Sequence, residues 1–422
     1  MSKDPRFLGQ PVLSQVLNYL PSRDILSELA QKEGADRYVK KFTAVEHLYT
    51  FLFAVASRVC TIRELNTALA AHEIKLKHLG IESSVARSTF SDANSRRTPK
   101  FFEEVYNFVL KNYLQVLSDS RLSTGEQSKR NRVYAMDSTT VPLFTSIFQG
   151  TAKENRQGQR KGGLKVHTVI DTVDSIPQFV YITDTIRHDS QEASALLNLP
   201  KGSTAVIDRG YYDFALFEKL NQKGIHYITR IKKNIRYETL QDLADTDRDP
   251  NTSLDYEIKL AIDRKNEYEI KERGHHCRLL AWYNPKTKSY DAYLTSLTEL
   301  TGEEIHDTYA KRWKIETLFK KLKQNFNLSS FLSQSRKGIK IQIWCILIAF
   351  LLLETIHLKV DKKVAFSVMI TDLSILVMTY IDFISFLNDP DKAKSYLKNQ
   401  EKAPSKAPPI KQPRLPFDDL QL

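Results

Sequence analysis

The residues with the clearest capacity for chemistry gather in one stretch, 301–327, reading TGEEIHDTYAKRWKIETLFKKLKQNFN. Within it Tyr309, Arg312, Glu316 and Lys323 follow one another at intervals of three, four and seven. At about 100° per residue they fall on one narrow strip of a helix. Ile315, Leu318, Phe319, Leu322 and Phe326 form the apolar face beside it. A carboxylate at the edge of a core, flanked by two cations, is aimed rather than merely solvated. Two more carboxylates, Asp137 and Asp208, each follow a short apolar run with strand periodicity. If the three converge they repel one another until cations neutralise them. Mg²⁺ suits an all-oxygen donor set and keeps waters for exchange, and Mn²⁺ is expected to substitute. Two such ions about 4 Å apart can activate a water or a 3′-OH and stabilise the leaving oxygen of an in-line phosphodiester displacement. Singly, each residue has a plainer account. Asp137 fits a strand-end cap, Asp208 an Asp-Arg-Gly turn paired with Arg209, and Arg312 with Glu316 an intrahelical i, i+4 pair.

These side chains need elements to hold them. Thr301 with Glu304, Thr43 with Glu46 and Thr61 with Glu64 read as capping boxes. Thr98-Pro99 sets a cap before a first-turn proline. No proline or glycine interrupts 303–327, so one long helix is predicted there. Residues 1–117 read as a helical domain and 118–131 as a polar linker. The period then changes to two. Residues 132–137, ending in Asp137, then 164–171, 178–183 and 204–207, just before Asp208, read as strands. A helix is expected over 214–223, and strands dominate 225–298. The helix bearing Glu316 opens 299–358, and a helical region occupies 359–398. The tail, 399–422, is too proline-rich to pack a core; its residues 417–420 have the form of a docking peptide.

Composition narrows the partners. The chain has 422 residues, 41% hydrophobic, with a formal net charge of +12. That balance favours a polyanion. Cys60, Cys277 and Cys345 form no metal-type pair and point to a reducing compartment. The opening residues carry no apolar signal region. The apolar run 343–353 is shorter than a bilayer span, so no membrane partner is expected.

Other signals are weaker. Residues 83–97, SSVARSTFSDANSRR, offer Arg87, Ser88, Thr89, Asn94, Arg96 and Arg97 in the manner of a helix-turn-helix reader of DNA, although an ordinary surface helix fits as well. Lys153, Arg156, Arg160, Lys161 and Lys165 make a glycine-rich cationic loop, and Arg230, Lys232, Lys233 and Arg236 a second basic cluster. Trp282 is either a core residue of the β block or a platform for a flipped base. Asp245, Asp247 and Asp249 resemble a calcium loop but meet Pro250 where glycine is required. His167 reads as a packed core residue.

The pattern Tyr-x2-Arg-x3-Glu-x6-Lys, with Asp-Ser-Thr at 137–139 and Asp-Arg-Gly-Tyr-Tyr at 208–212, resembles the signature of DDE transposases of the insertion-sequence-four (IS4) family. The resemblance covers roughly 130–350. It implies an α/β, ribonuclease-H-like core interrupted by an inserted β-rich domain, with Asp137, Asp208 and Glu316 as catalytic metal ligands. It also implies that Arg312 and Lys323 contact transposon-end phosphates with Tyr309 nearby, and that Arg209 and the basic clusters line a DNA path. The activity implied is cleavage at terminal inverted repeats and joining of the 3′-OH ends to target DNA, by a homodimer on double-stranded DNA in the bacterial cytoplasm. Two other readings remain: a transposase-derived DNA-binding protein without chemistry, and a nuclease without strand transfer.

Overall fold

A computed structural model describes residues 9–82, 84–122, 132–142, 153–154, 160–161, 163–184, 193–231, 235, 237–243, 250–260, 274–326 and 330–391. The chain divides into two compact units: Met1–Ser123 with Asn325–Leu422, and the intervening Thr124–Gln324.

The first unit is helical. Its core helices, Ala44–Ala56 and Arg336–His357, are apolar on nearly every side, which obliges a helix to be surrounded by protein. The 22-residue Arg336–His357 helix is long and apolar enough to cross a membrane, more than the run 343–353 suggested, yet 89% of its most apolar window is buried inside the protein. It packs on Lys100–Leu122, Ala44–Ala56 and Arg87–Arg96. At Gly338 a Cβ would lie 2.2 Å from the Ser333 hydroxyl and 2.9 Å from the Asn94 Cβ, so only glycine permits that approach. The capping boxes at Thr43 and Thr61 form as expected. The Lys100–Leu122 helix carries on into the stretch read as a linker from 118.

The second unit is built on a nine-stranded sheet in the order β5-β4-β1-β6-β7-β11-β10-β9-β8. The strands are β1 (Val133–Pro142), β4 (Gly163–Asp171), β5 (Pro177–Asp184), β6 (Thr204–Ile207), β7 (His226–Arg230), β8 (Tyr237–Asp242), β9 (Thr252–Leu260), β10 (His275–Asn284) and β11 (Ser289–Thr295). A separate ribbon pairs β2 (Lys153–Glu154) with β3 (Arg160–Lys161). β1 pairs antiparallel with β4 and parallel with β6, which pairs parallel with β7.

Two expectations change here. Strand β1 does not end at Asp137: its hairpin with β4 carries it on to Pro142 opposite Gly163. The strands of 225–298 are not a separate sheet either. β7 lies beside β6, and β11 pairs with β7, so β8–β11 extend the same sheet. One continuous core explains this. Met136, Val169, Ile207 and Tyr227 share it with Leu294, Leu279, Cys277 and Ile258, under Leu196, Phe217 and Leu220 from the overlying helices.

Candidate active site

The parallel register of β1 on β6 sets the first two acids. Met136 stands beside Ile207, so the next residues, Asp137 and Asp208, leave the paired segment at one level, about 5 Å apart at the backbone. This is the carboxyl end of the parallel pairing of β1 with β6, although β1 itself runs on along β4; open α/β sheets place ligands at such ends. The Asp137 carboxylate accepts from the Ser138 N–H at 2.7 Å. Asp208 turns its carboxylate to the Gly210 N–H at 3.2 Å, capping the short turn Arg209–Tyr211. Arg209 itself is exposed.

The third acid arrives on a broken helix. Thr301 and Glu304 form the capping box, but the predicted single helix divides into Gly302–Ala310 and Trp313–Asn325. Between them the bonds tighten to three-residue spacing, with Arg312 N–H donating to the Tyr309 carbonyl at 2.9 Å and Ile315 N–H to that of Arg312 at 3.1 Å. The Lys314 ammonium donates to the Thr172 carbonyl at 2.6 Å, tying the second helix to the end of β4.

Arg312, at the break, joins the acids. One terminal nitrogen donates to Asp137 at 3.2 Å and the other to Glu316 at 2.7 Å. Burial raises the Asp137 carboxyl to about 6; Ser138 N–H and Arg312 oppose the rise, while the charges of Asp208 and Glu316 add to it. Both other acids are therefore within electrostatic reach of Asp137. Among the described residues no three ligand-type side chains stand close enough to hold an ion as they are. The donor set nonetheless fits a hard divalent cation: three carboxylates, two of them bridged by a cation that the protein itself supplies.

Tyr309 is 6% exposed. Its ring lies between the guanidinium carbons of Arg230 and Arg312, at 5.4 and 5.8 Å. Burial pushes its phenol up; Arg312 opposes this and Asp208 adds to it. The ring is thus packed beside two cations and largely closed to solvent. Arg230 pairs with Asp291 at 2.7 Å. Lys323 is exposed on the helix that carries Glu316.

Of the two accounts of Trp282, the structure matches the core residue. It is 5% exposed on β10 and its ring lies 4.5 Å from that of His306, so a base cannot stack on it as it stands. A second indole, Trp313, not singled out in the sequence, is 67% exposed between Arg312 and Lys314. Its signal was a large aromatic on the polar side of an amphipathic pattern. Lys165 sits on β4 opposite Thr140. Arg160 and Lys161 form β3, without described side chains, and Lys232 and Lys233 lie outside the described residues.

In the helical unit, Arg87 and Arg96 are exposed on the helix Arg87–Arg96. Arg97 is not available to DNA: it is 5% exposed, pairs with Asp36 at 3.4 Å and donates to the carbonyls of Ala35 and Phe42. Asn94 is buried too, holding the His47 ring at 2.9 Å.

A family model described as Transposase DDE domain matches residues 128–352, more than half of the chain. The chain belongs to the IS4 family of DDE transposases. A second model, Domain of unknown function (DUF4372), matches 8–82. A candidate transposase of Sinorhizobium fredii is 26% identical over 275 residues, 64% of this chain and 71% of that protein. A candidate transposase for insertion sequence element IS4SA of Synechocystis sp. is 26% identical over 304 residues, 71% of this chain and 80% of its own length. The transposase of insertion sequence element IS231B of Bacillus thuringiensis is 21% identical over 384 residues, 80% of this chain and 78% of that one. Among solved structures, a piggyBac transposase synaptic complex with hairpin DNA resembles 97% of this chain and 89% of that one, at 11% identity and a TM-score of 0.45, too loosely to equate residues. A DDE transposase is a DNA-processing enzyme that uses divalent metal, and all three acids of the motif are present here.

Proposed function

We propose that this transposase cleaves at its own terminal inverted repeats and joins the freed 3′-OH ends to target DNA, with Asp137, Asp208 and Glu316 holding two Mg²⁺ ions. The observation that carries this is the convergence of three acids distant in sequence: Asp137 and Asp208 each directly follow the last register pair of β1 and β6, Met136 with Ile207, and Glu316 is bridged to Asp137 through Arg312. The strand order β5-β4-β1-β6-β7, antiparallel on one side of β1 and parallel on the other, supports a ribonuclease-H-like core. Asp137, Asp208 and Glu316 would hold the ions, which would supply activation of the attacking oxygen and stabilisation of the leaving one. The chain's own part is to hold three carboxylates at one sheet edge and to keep Arg312 and Lys323 beside the scissile phosphate. Arg87 and Arg96 are proposed as contacts to the terminal repeat from the helical unit. Handling two ends together calls for a dimer on DNA, acting at the bacterial nucleoid.

A supercoiled plasmid carrying labelled ends tests the proposal, because binding, cutting, and cutting with joining are separate outcomes. Asp137→Asn, Asp208→Asn and Glu316→Gln are each expected to lower cleavage by about 10²–10³-fold or more, the order expected for losing one charge-stabilising group, while sparing DNA binding. Cleavage that survives any one of them would falsify the ligand assignment. Cutting without joining would favour the nuclease reading.

A further inference from the structure

The Arg312 guanidinium donates through separate terminal nitrogens to two different carboxylates, Asp137 at 3.2 Å and Glu316 at 2.7 Å. That is the place a divalent ion must take if those two acids are to bind one. We propose that Arg312 is a built-in counter-cation. It keeps Asp137 and Glu316 together while no metal is bound, and it yields the place to the ion, turning its charge to a DNA phosphate. The proposal rests on the reading of Asp137, Asp208 and Glu316 as the metal-holding acids.

Four observations support it. The two acids carry like charge at one partly buried spot, with side-chain exposures of 21% and 33%, and like charges so placed repel unless a cation stands between them. Arg312 is only 16% exposed and its Nε is buried without a hydrogen-bond partner among the described residues, so its present position leaves a donor unmet. It does not grip either acid as a bidentate fork, the strong arrangement for arginine and carboxylate. Finally, it sits in the turn between two helices, where its side chain can swing without uncoiling a helical turn. A guanidinium and a divalent cation cannot share one pair of carboxylate oxygens, because like charges repel in a partly desolvated site. Their occupancies are therefore linked, and the linkage is reciprocal.

The full-length protein is titrated with Mn²⁺ alone, free Mn²⁺ being read by its paramagnetic resonance signal, for the wild type, Arg312→Met and Arg312→Lys. The Met variant is expected to bind Mn²⁺ at least tenfold more tightly than the wild type, with the Lys variant closer to wild type. In thermal melts the metal-free Met variant should unfold at a lower temperature, and saturating Mn²⁺ should raise its Tm by more than it raises that of the wild type. A residue that only braces the fold would lower Tm by the same amount with and without Mn²⁺ and leave Mn²⁺ affinity unchanged; that result overturns the proposal. If no variant binds Mn²⁺, or if Asp137→Asn leaves wild-type binding intact, the carboxylate reading fails first and takes this inference with it. A final arm reads the released charge. Binding to a duplex, with Ca²⁺ fixed and monovalent salt varied, should gain about one phosphate contact in its salt slope on adding Ca²⁺ to the wild type. Arg312→Met should show no such gain, and equal gains in both proteins count against the proposal.

Discussion

Asp137 is where folding and chemistry oppose each other. Burial in the folded protein pushes its carboxyl up to about 6, well above the usual carboxylate range. A raised folded value means that the stability it contributes is complete below about pH 4 and is lost as pH rises through about 6, because the unfolded chain ionises first. That rise corresponds to about 3 kcal/mol at most. Asp137→Asn is therefore expected to raise the metal-free Tm at pH 7.5 by a few degrees while removing cleavage. Melts of both proteins between pH 4 and 8 should show the gap opening as pH rises; a constant gap would mean that the site is not strained by charge. The two tryptophans divide in the same way. Trp313, exposed beside Arg312, offers a stacking face for a base. Trp313→Ala should weaken DNA binding by about 1–3 kcal/mol with little change in Tm, as read by fluorescence anisotropy and melting. Trp282→Ala, in a buried position against His306, should instead lower stability by about 3–5 kcal/mol.

At the scale of elements, what the sequence made legible was what local chemistry decides. The capping boxes at Thr43, Thr61 and Thr301 fixed three helix starts because each is made by side chains three residues apart. The alternation before Asp137 and Asp208 marked two strands. The break at Lys311–Arg312 was hidden, since neither residue disfavours a helix; it is a tightening to three-residue bonds, not a composition signal. Strand β1 beyond Asp137 was hidden for a related reason. Its partner β4 supplies the ladder up to Gly163, and pairing at a distance leaves no trace in the local pattern. His167 was expected as a core residue and is fully buried, but its partners were not readable. It reaches the Tyr211 hydroxyl at 3.0 Å and that of Thr183 at 2.8 Å. Tyr211 closes the turn that begins at Asp208, so β4 and β5 hold that turn from beneath. Tyr211→Phe removes one buried hydrogen bond and should cost about 1–3 kcal/mol. Because it loosens the turn carrying Asp208, the cleavage rate should also fall while DNA affinity holds. A rate unchanged by the substitution would confine this contact to stability.

At the scale of the whole molecule, the helical unit is assembled from both ends of the chain, and the second unit from the single stretch between them in sequence. The joining is specific. Val12 and Leu13 donate their backbone N–H groups to the carbonyls of Thr379 and Val377, both at 3.0 Å. The Gln15 amide donates to the Ile381 carbonyl at 2.6 Å and accepts from the Phe383 N–H at 3.0 Å. These groups are more than 360 residues apart in sequence, so their closure entropy is met by burial, not by local propensity. The apolar faces they bring together include Leu13, Val16 and Leu17 against Leu352, Ile370 and Leu373. Two outcomes follow for the full chain. Gln15→Ala strips its side-chain bonds to Gln10, Ile381 and Phe383 and leaves the Phe383 N–H and the Ile381 carbonyl without that partner, an expected loss of about 1–3 kcal/mol. Ending the chain at Val364 removes the helices Phe366–Leu376 and Phe383–Asn388 and uncovers the N-terminal helix, so the helical signal in circular dichroism should fall by more than the deleted helices account for. If it falls only by their share, the N-terminal helices hold themselves, and the pairing of the chain's ends serves something other than stability.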